Sequence, residues 1–379
     1  MKGRRFLAKL IGLVLLASGL LKLIDPVGTG LIVAEYFKFF HLAFLTGASK
    51  AFGVALCLLE TITGAALITG AYRKLSAIVS TALIGVFTVI TLILLVNNPN
   101  MDCGCFGEAI HLTHLQSFLK NIVLLVIAFA AFIPFKNPGE TPKHKRTAFW
   151  IGTAVIVLAM GHSLTHLPLM DFTDFKPGTE IMAARNLRRQ GRPQENFYAA
   201  YIYEKDGVQE SFTLENLPDS SWTFVKVDTV YRNRPEITSP ILSFRDADGE
   251  YRDNDAARGK VMIFSVYNPE TCNWDQLEAN LAKVPEGVAS IVLSTEEGHG
   301  AMVSDYRTLI ALNRANGGIT YLHKGEIIRK WRPADCPSTE SLDRLLQSDP
   351  TEARAKSITP GRIVAEGYAL VLLAILLLI

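Results

Sequence analysis

The sequence predicts an α-helical membrane bundle carrying an α/β domain on one side of the membrane, and three observations lead there. Apolar residues make up 49% of the 379-residue chain and fall in blocks long enough to cross a bilayer. One long polar region, residues 171–360, interrupts these blocks and alternates strand-like with helix-like runs. Basic residues at the block ends fall on a single side when five successive blocks alternate across the bilayer. The formal net charge of +2 gives no basic patch for a nucleic acid. Five cysteines are too few for a disulfide-built scaffold. The lipid bilayer is the first partner implied.

The first block, residues 6–24, follows the basic start Lys2, Arg4 and Arg5. A signal peptide has this shape, but Lys22, Asp25 and Pro26 stand where a small-residue cleavage site would be, so an uncleaved first span is expected. Residues 31–45 place Glu35, Lys38 and His41 at three-residue spacing, opposite Phe37, Phe40 and Phe44. That spacing predicts an amphipathic helix lying at the membrane surface, with a helix packed on the bundle as the alternative. Spans two to five are expected over residues 50–70, 75–96, 115–135 and 147–167. Asn97-Asn98-Pro99-Asn100 stops the third, and the capping box Thr113-x-x-Gln116 opens the fourth. Residues 363–379, wholly apolar from Gly367, predict a sixth span.

Orientation follows from lysine and arginine. The N-terminal cluster, Arg73 with Lys74, and the loop bearing Lys136, Lys143, Lys145 and Arg146 share one side, which the positive-inside rule makes cytoplasmic. Residues 171–360 and the motif Cys103-Gly104-Cys105 then face outward, into the periplasm of a bacterium with this as its inner membrane. That compartment is oxidising.

The polar region has two parts. Residues 171–239 form a β-rich linker region with strand-like runs at 198–203, 208–212 and 222–230, preceded by Arg185, Arg188, Arg189 and Arg192. Residues 240–350 read as strand, helix, strand, helix, hairpin and final helix. This order, with its DG turn followed by Gly259-Lys260-Val261, resembles the thioredoxin-like fold of membrane-tethered periplasmic thioredoxins. The resemblance implies a Cys-x-x-Cys after the first strand and a cis-proline before the hairpin. Here stand Cys272-Asn-Trp-Asp275 and Asn316-Gly317-Gly318-Ile319, so the active site is degenerate. Cys272 and Cys336 remain candidate second thiols: Cys272 is a buried structural thiol, a lone reactive one, or the partner of Cys336.

The chemistry concentrates between spans three and four. Cys103-Gly104-Cys105 offers a strained, easily reduced disulfide, a structural disulfide, or two soft ligands for a metal. With His111 and His114 the pair makes C-x-C-x5-H-x2-H, an alternative zinc or copper site. Cys57, about two turns below the outward end of span two, is either a third redox thiol or a packing residue. Glu60, one turn deeper, is either a buried partner of Lys22 or a proton relay, because ionisable groups inside spans are costly unless paired or used. Lys22 and Asp25 lie near the outward end of span one, where snorkelling to the surface is their other option.

Residues 1–135 resemble the four-helix DoxX superfamily through Ser18-Gly-Leu-Leu-Lys-Leu-Ile-Asp-Pro26, Glu60 with Gly64 and Gly70, and Cys103-Gly-Cys-Phe-Gly107, the last a feature of its MauE branch. The resemblance implies a role in maturing a disulfide-rich envelope protein, and for other DoxX relatives a quinone-coupled oxidoreductase. The expected domains are thus a DoxX/MauE-like bundle (1–135), a basic loop and fifth span (136–170), the linker region, the thioredoxin-like domain, and a C-terminal span (361–379). The expected work is thiol–disulfide redox or maturation of an envelope protein substrate at Cys103, Cys105, Cys57 and Glu60. A non-enzymatic assembly factor, or an oxidoreductase with a quinone as cofactor, are the alternatives.

Overall fold

The computed structural model describes residues 2–99, 101, 103–133, 141–189, 197–205, 208–212, 216–219, 221–231 and 239–378. Asn100, Lys136 and Arg192, all used above, lie outside the described residues, as do the side chains of Arg188 and Arg189.

The chain opens with α1 (Lys2–Ile24) and α2 (Pro26–Phe39), then passes through a 3-10 segment (Ala43–Ala48) into α3 (Ser49–Thr69). Next come α4 (Arg73–Asn97), the short strand β1 (Cys105–Glu108), α5 (His114–Phe132) and α6 (Lys143–Thr165). The helices expected as spans are all present, and the capping box at Thr113 and Gln116 forms in both directions. Helix α1 and α3 pack backbone to backbone because glycine lines their seam: a Cβ on Gly64 would lie 2.5 Å from the Leu16 nitrogen, and one on Gly12 2.9 Å from the Leu67 Cβ. Helix α1 is thereby an internal element of the bundle, with Ile11, Leu15, Leu16 and Leu23 buried.

Helix α2 departs in its bounds from the amphipathic surface helix expected over residues 31–45 and takes the alternative, a helix packed on the bundle. Asp25 caps it by accepting from the Gly28 N–H at 2.9 Å and Pro26 occupies its first turn, so the helix starts five residues earlier than the apolar pattern implied. It ends at Phe39, which leaves His41 outside, and it packs on α3 where Gly30 meets Gly53. Lys22 takes the buried partner expected of it, whereas Asp25 does not reach the surface. Both are buried rather than snorkelling, because each has a charged partner inside the protein.

Beyond the fifth long helix lie α7 (Met182–Arg189) and an antiparallel sheet of β2 (Phe197–Lys205), β3 (Val208–Phe212) and β4 (Thr223–Tyr231), in the order β3-β2-β4. The main sheet follows: β5 (Phe244–Arg245), β6 (Lys260–Val266), α8 (Trp274–Leu281), β7 (Ala289–Ser294), β8 (Met302–Ser304), α9 (Tyr306–Leu312), β9 (Gly318–His323), β10 (Glu326–Trp331) and α10 (Thr339–Gln347). Its order is β10-β9-β6-β7-β8-β5, with β6 parallel to β7 and antiparallel to β9. Strand β6 is covered on both faces. Val261 and Ile263 join Leu293, Leu309 and Leu322 on one side, while Met262, Phe264 and Val266 join Leu277, Trp331 and Leu342 on the other.

The expected boundary at residue 240 cuts through this unit. Phe175, Ile181 and Ala184 are part of the sheet's core, and backbone hydrogen bonds join Gly178 and Thr179 to Ile327, so this segment extends the edge at β10. Last comes α11 (Pro350–Leu378), which starts eleven residues before the expected span at 361–379 and runs through Pro360. Its first turn places Ala353 in the sheet's core, and its apolar end places Leu372 and Leu376 against Ile156 and Met160 of α6. Gly361 passes the Leu169 carbonyl so closely that a Cβ there would lie 2.2 Å from the oxygen. Among the described residues, six helices are long and apolar enough to cross a membrane.

Candidate functional site

The motif between α4 and α5 is held by the bundle at every residue that matters. Gly104 has φ +59°, and a Cβ there would lie 2.6 Å from Ile32 Cγ2, so only glycine fits the turn. On either side of it the backbone is clamped: the Tyr36 hydroxyl donates to the Cys103 carbonyl at 2.7 Å, and the Ser18 hydroxyl lies 2.6 Å from the Cys105 carbonyl. Gly107, at φ +62°, closes the turn through its N–H to the Gly104 carbonyl and lies over the Lys22 stem. Lys120 sits 4.9 Å from the Phe106 ring centroid.

Cys103 is buried, 6% exposed, and its Sγ lies 3.0 Å from His114 Nδ1. His114 is the first residue of α5, directly after the capping Thr113, and its Nε2 lies 3.0 Å from the Pro99 carbonyl. The capping box therefore places the imidazole as well as starting the helix. Sequence reasoning assigned His114 only to a metal set. The eleven-residue separation from Cys103 carries no periodic signal, so the contact emerges only from the turn.

Below the motif lies a buried polar network. Lys22 Nζ donates to Glu60 at 2.6 and 2.8 Å and to the Ser18 hydroxyl at 3.1 Å, and Ser18 Oγ is 2.7 Å from Glu60 Oε2. The Lys22–Glu60 pair expected from the sequence is present, and Ser18 extends it to Cys105. Cys57 packs in an apolar cluster with Leu16, Leu23, Ile156 and Met160. Above it, Cys103, Gly104 and Cys105 form part of the wall of a cavity of about 680 Å³ between the helices. The wall is mostly aliphatic and aromatic, with Ser18, Lys22, Tyr36 and Lys120 among its polar groups; Cys57 is not on it.

The set C-x-C-x5-H-x2-H does not assemble. His111 borders a second, more polar cavity beside Glu108 and Arg314, and among the described residues no three His, Cys, Asp or Glu side chains are grouped to hold a metal ion. Cys272 and Cys336 pack against the core that includes Phe264 and Trp331, and burial pushes both thiols up, which disfavours their thiolates. A Cβ on Gly317 would meet Cys272 Sγ at 3.4 Å, so the Asn316-Gly317-Gly318 loop covers that thiol.

The α/β domain docks on the end of the bundle that carries the motif. Arg314, 5% exposed at its side chain, donates from Nε to Asp25 at 2.9 Å and from Nη2 to Glu108 at the end of β1. Burial, together with the Asp25 charge, holds the Glu108 carboxyl above its usual range despite Arg314. Arg307 reaches Glu35 at 2.6 Å, and Lys330 reaches Asp171 at 2.7 Å. Burial opposes ionisation of Asp171, but the charge and hydrogen bonds of Lys330 and Thr173 prevail and hold its carboxyl below the usual range.

These features define a multi-pass membrane protein whose extramembrane domain rests on a dithiol turn of its helical bundle. Residues 5–134 match the family model described as methylamine utilisation protein MauE, so the bundle from α1 to α5 is a MauE-like membrane domain. Residues 198–232, the sheet of β2 to β4, match a domain of unknown function, DUF8463. No curated protein and no solved structure matches the chain.

Proposed function

We propose that this protein acts in thiol–disulfide redox or in the maturation of envelope proteins, with Cys103 and Cys105 as its redox centre. In this reading the membrane is a bacterial inner membrane, the N-terminus is cytoplasmic, and residues 171–360 lie in the periplasm. The observation that carries it is the clamped Cys103-Gly104-Cys105 turn: two thiols one residue apart, fixed at both carbonyls, on the wall of a single cavity. A rigid turn holds two sulfurs ready for exchange and stores the strain that makes their disulfide a good oxidant.

The α/β domain fits a thioredoxin-like fold that has lost dithiol chemistry, since its remaining thiols are held neutral by burial. Its service is then to receive a cysteine-bearing envelope polypeptide above the motif. Glu60 acts through Lys22 and Ser18 to fix Cys105, and the packing around Cys57 supports a structural thiol there. The cavity supports a quinone-coupled version of the same activity. Its volume suits a small lipophilic ligand, and its polar groups gather beside the dithiol. A bound quinone supplies a two-electron, two-proton acceptor. Ser18, Lys22, Tyr36 and Lys120 are the residues placed to orient its oxygens.

The test is the state of the thiols in native membranes, quenched in acid, denatured and alkylated before and after reduction. Cys103 and Cys105 are expected to label only after reduction, and reduced protein is expected to reoxidise faster when a short-chain quinone is added without oxygen. Full labelling of both without reductant excludes a disulfide and with it the redox reading. A Cys103→Ser/Cys105→Ser protein that supports full envelope-protein maturation points to an assembly factor.

A further inference from the structure

Resting on that reading of the dithiol, we propose that His114 is the base that takes the Cys103 proton and returns it, making Cys103 the activated sulfur of the pair. The argument begins at the far side of the ring. The Pro99 carbonyl, 3.0 Å from His114 Nε2, can only accept a hydrogen bond, so Nε2 carries a proton. In the neutral ring Nδ1 is then the lone-pair nitrogen, and it faces Cys103 Sγ at 3.0 Å. The thiol therefore donates to Nδ1. Transfer of that proton leaves a thiolate beside an imidazolium, with one N–H on the thiolate and the other on the carbonyl. Both charge states of the ring are matched by the same two partners, which is what a proton carrier at a sulfur requires. Among the described residues the Cys105 thiol has no comparable contact, and only its carbonyl is held.

The step balances as follows. When Cys103 attacks a disulfide, its S–H bond breaks, the proton passes to Nδ1, the sulfur's electron pair forms the new S–S bond, and the attacked S–S bond breaks with its pair leaving on the displaced sulfur as a thiolate. When Cys103 leaves a disulfide, the pair of that bond returns to its sulfur and Nδ1–H gives the proton back. His114 ends each cycle as it began. The oxidising equivalents in the exchange are those of the disulfide itself.

Among the described residues the surrounding charges are few. Lys22 on α1 faces the same cavity but is matched by Glu60 on α3, Tyr36 on α2 donates to the Cys103 carbonyl, and Lys120 on α5 lies over Phe106. Either lysine would favour a thiolate through the cavity's field, so the experiment separates that field from the imidazole.

Full-length protein with serine at Cys57, Cys105, Cys272 and Cys336 keeps Cys103 as its single thiol, and its alkylation rate with iodoacetamide is followed from pH 5 to 10. With His114 present, the rate is expected to reach half its plateau about one unit or more below the ordinary thiol value of about 8.5. His114→Asn is expected to move the midpoint up by a similar amount and to slow alkylation about tenfold at pH 7. Lys120→Gln is expected to move it less. Superposed profiles with and without the His114→Asn substitution overturn the proposal, as does an equal or larger shift from Lys120→Gln. A midpoint at the ordinary thiol value in the protein that retains His114 overturns it however the histidine variants fold. Alkylation needs no disulfide. A pair that cycles with no histidine effect refutes this assignment alone, whereas a shifted profile in a pair that never oxidises refutes the function and leaves the assignment standing.

Discussion

Glu60 has no exposed surface, and its carboxylate meets Lys22 and Ser18 in the middle of an apolar bundle. Truncating one partner of such a pair leaves the other charge buried and unmatched, a cost of about 3–5 kcal/mol in proteins where it has been measured. Glu60→Gln is therefore expected to lower thermal stability in detergent by several kcal/mol, with Lys22→Met in the same chain recovering part of the loss. A Glu60→Gln protein of unchanged stability that fails to turn over would instead identify a relay. This pair was legible in the sequence, because an acid inside one span is costly unless a base in the neighbouring span reaches it. The Cys103–His114 contact was not. It depends on how Gly104 and Gly107 turn the chain, and side-chain spacing says nothing about two residues joined by an irregular loop.

At the scale of elements, helix–helix contact in this bundle is set by absent side chains. Gly12, Gly19 and Gly64 let α1 and α3 approach until a methyl group at Gly19 would sit 2.3 Å from Thr61 Oγ1. Gly64→Val is expected to cost about 1–3 kcal/mol by overpacking, with a lower melting temperature and reduced yield of folded protein. Gly85, in the middle of α4 with nothing within 4 Å, is the internal control: Gly85→Ala is expected to be neutral or to stabilise by up to about 1 kcal/mol. Equal effects at the two positions would remove the packing argument. The long helices were readable from apolar runs. The start of helix α2 was misjudged because its capping pair, Asp25-Pro26, outweighs the apolar pattern that follows. Helix α11 was judged too short because its polar first half, residues 350–360, is stabilised by contacts with the sheet that no local pattern reveals.

For the whole molecule, the decisive contact is Arg314. It enters the bundle from the far end of α9, reaches the cap of α2 through Asp25, and reaches the end of the strand that begins at Cys105 through Glu108. Arg314→Gln leaves two carboxylates buried together without a cation. It is expected to loosen the α/β domain from the bundle, seen as faster hydrogen exchange in β1 and in residues 310–318 while the interior of the sheet stays protected. Unchanged exchange in β1 would show that the docking rests on Arg307–Glu35 and Lys330–Asp171 instead. Asp25, Glu108 and Arg314 are separated by up to 289 positions in the chain, and none stands in a motif with another, so their meeting could not be read in advance.

The sequence by itself determined the membrane character, the helices expected as spans, the α/β order of residues 240–350 and the dithiol turn, because hydropathy, capping residues and strand patterns act over a few neighbouring residues. The structure alone decided that His114 faces Cys103, that Cys103 and Cys105 share the wall of a cavity, and that Arg314 ties the two halves together. Those contacts join residues whose separation in the chain bears no relation to their separation in space, and only closure of the fold brings them within hydrogen-bonding range.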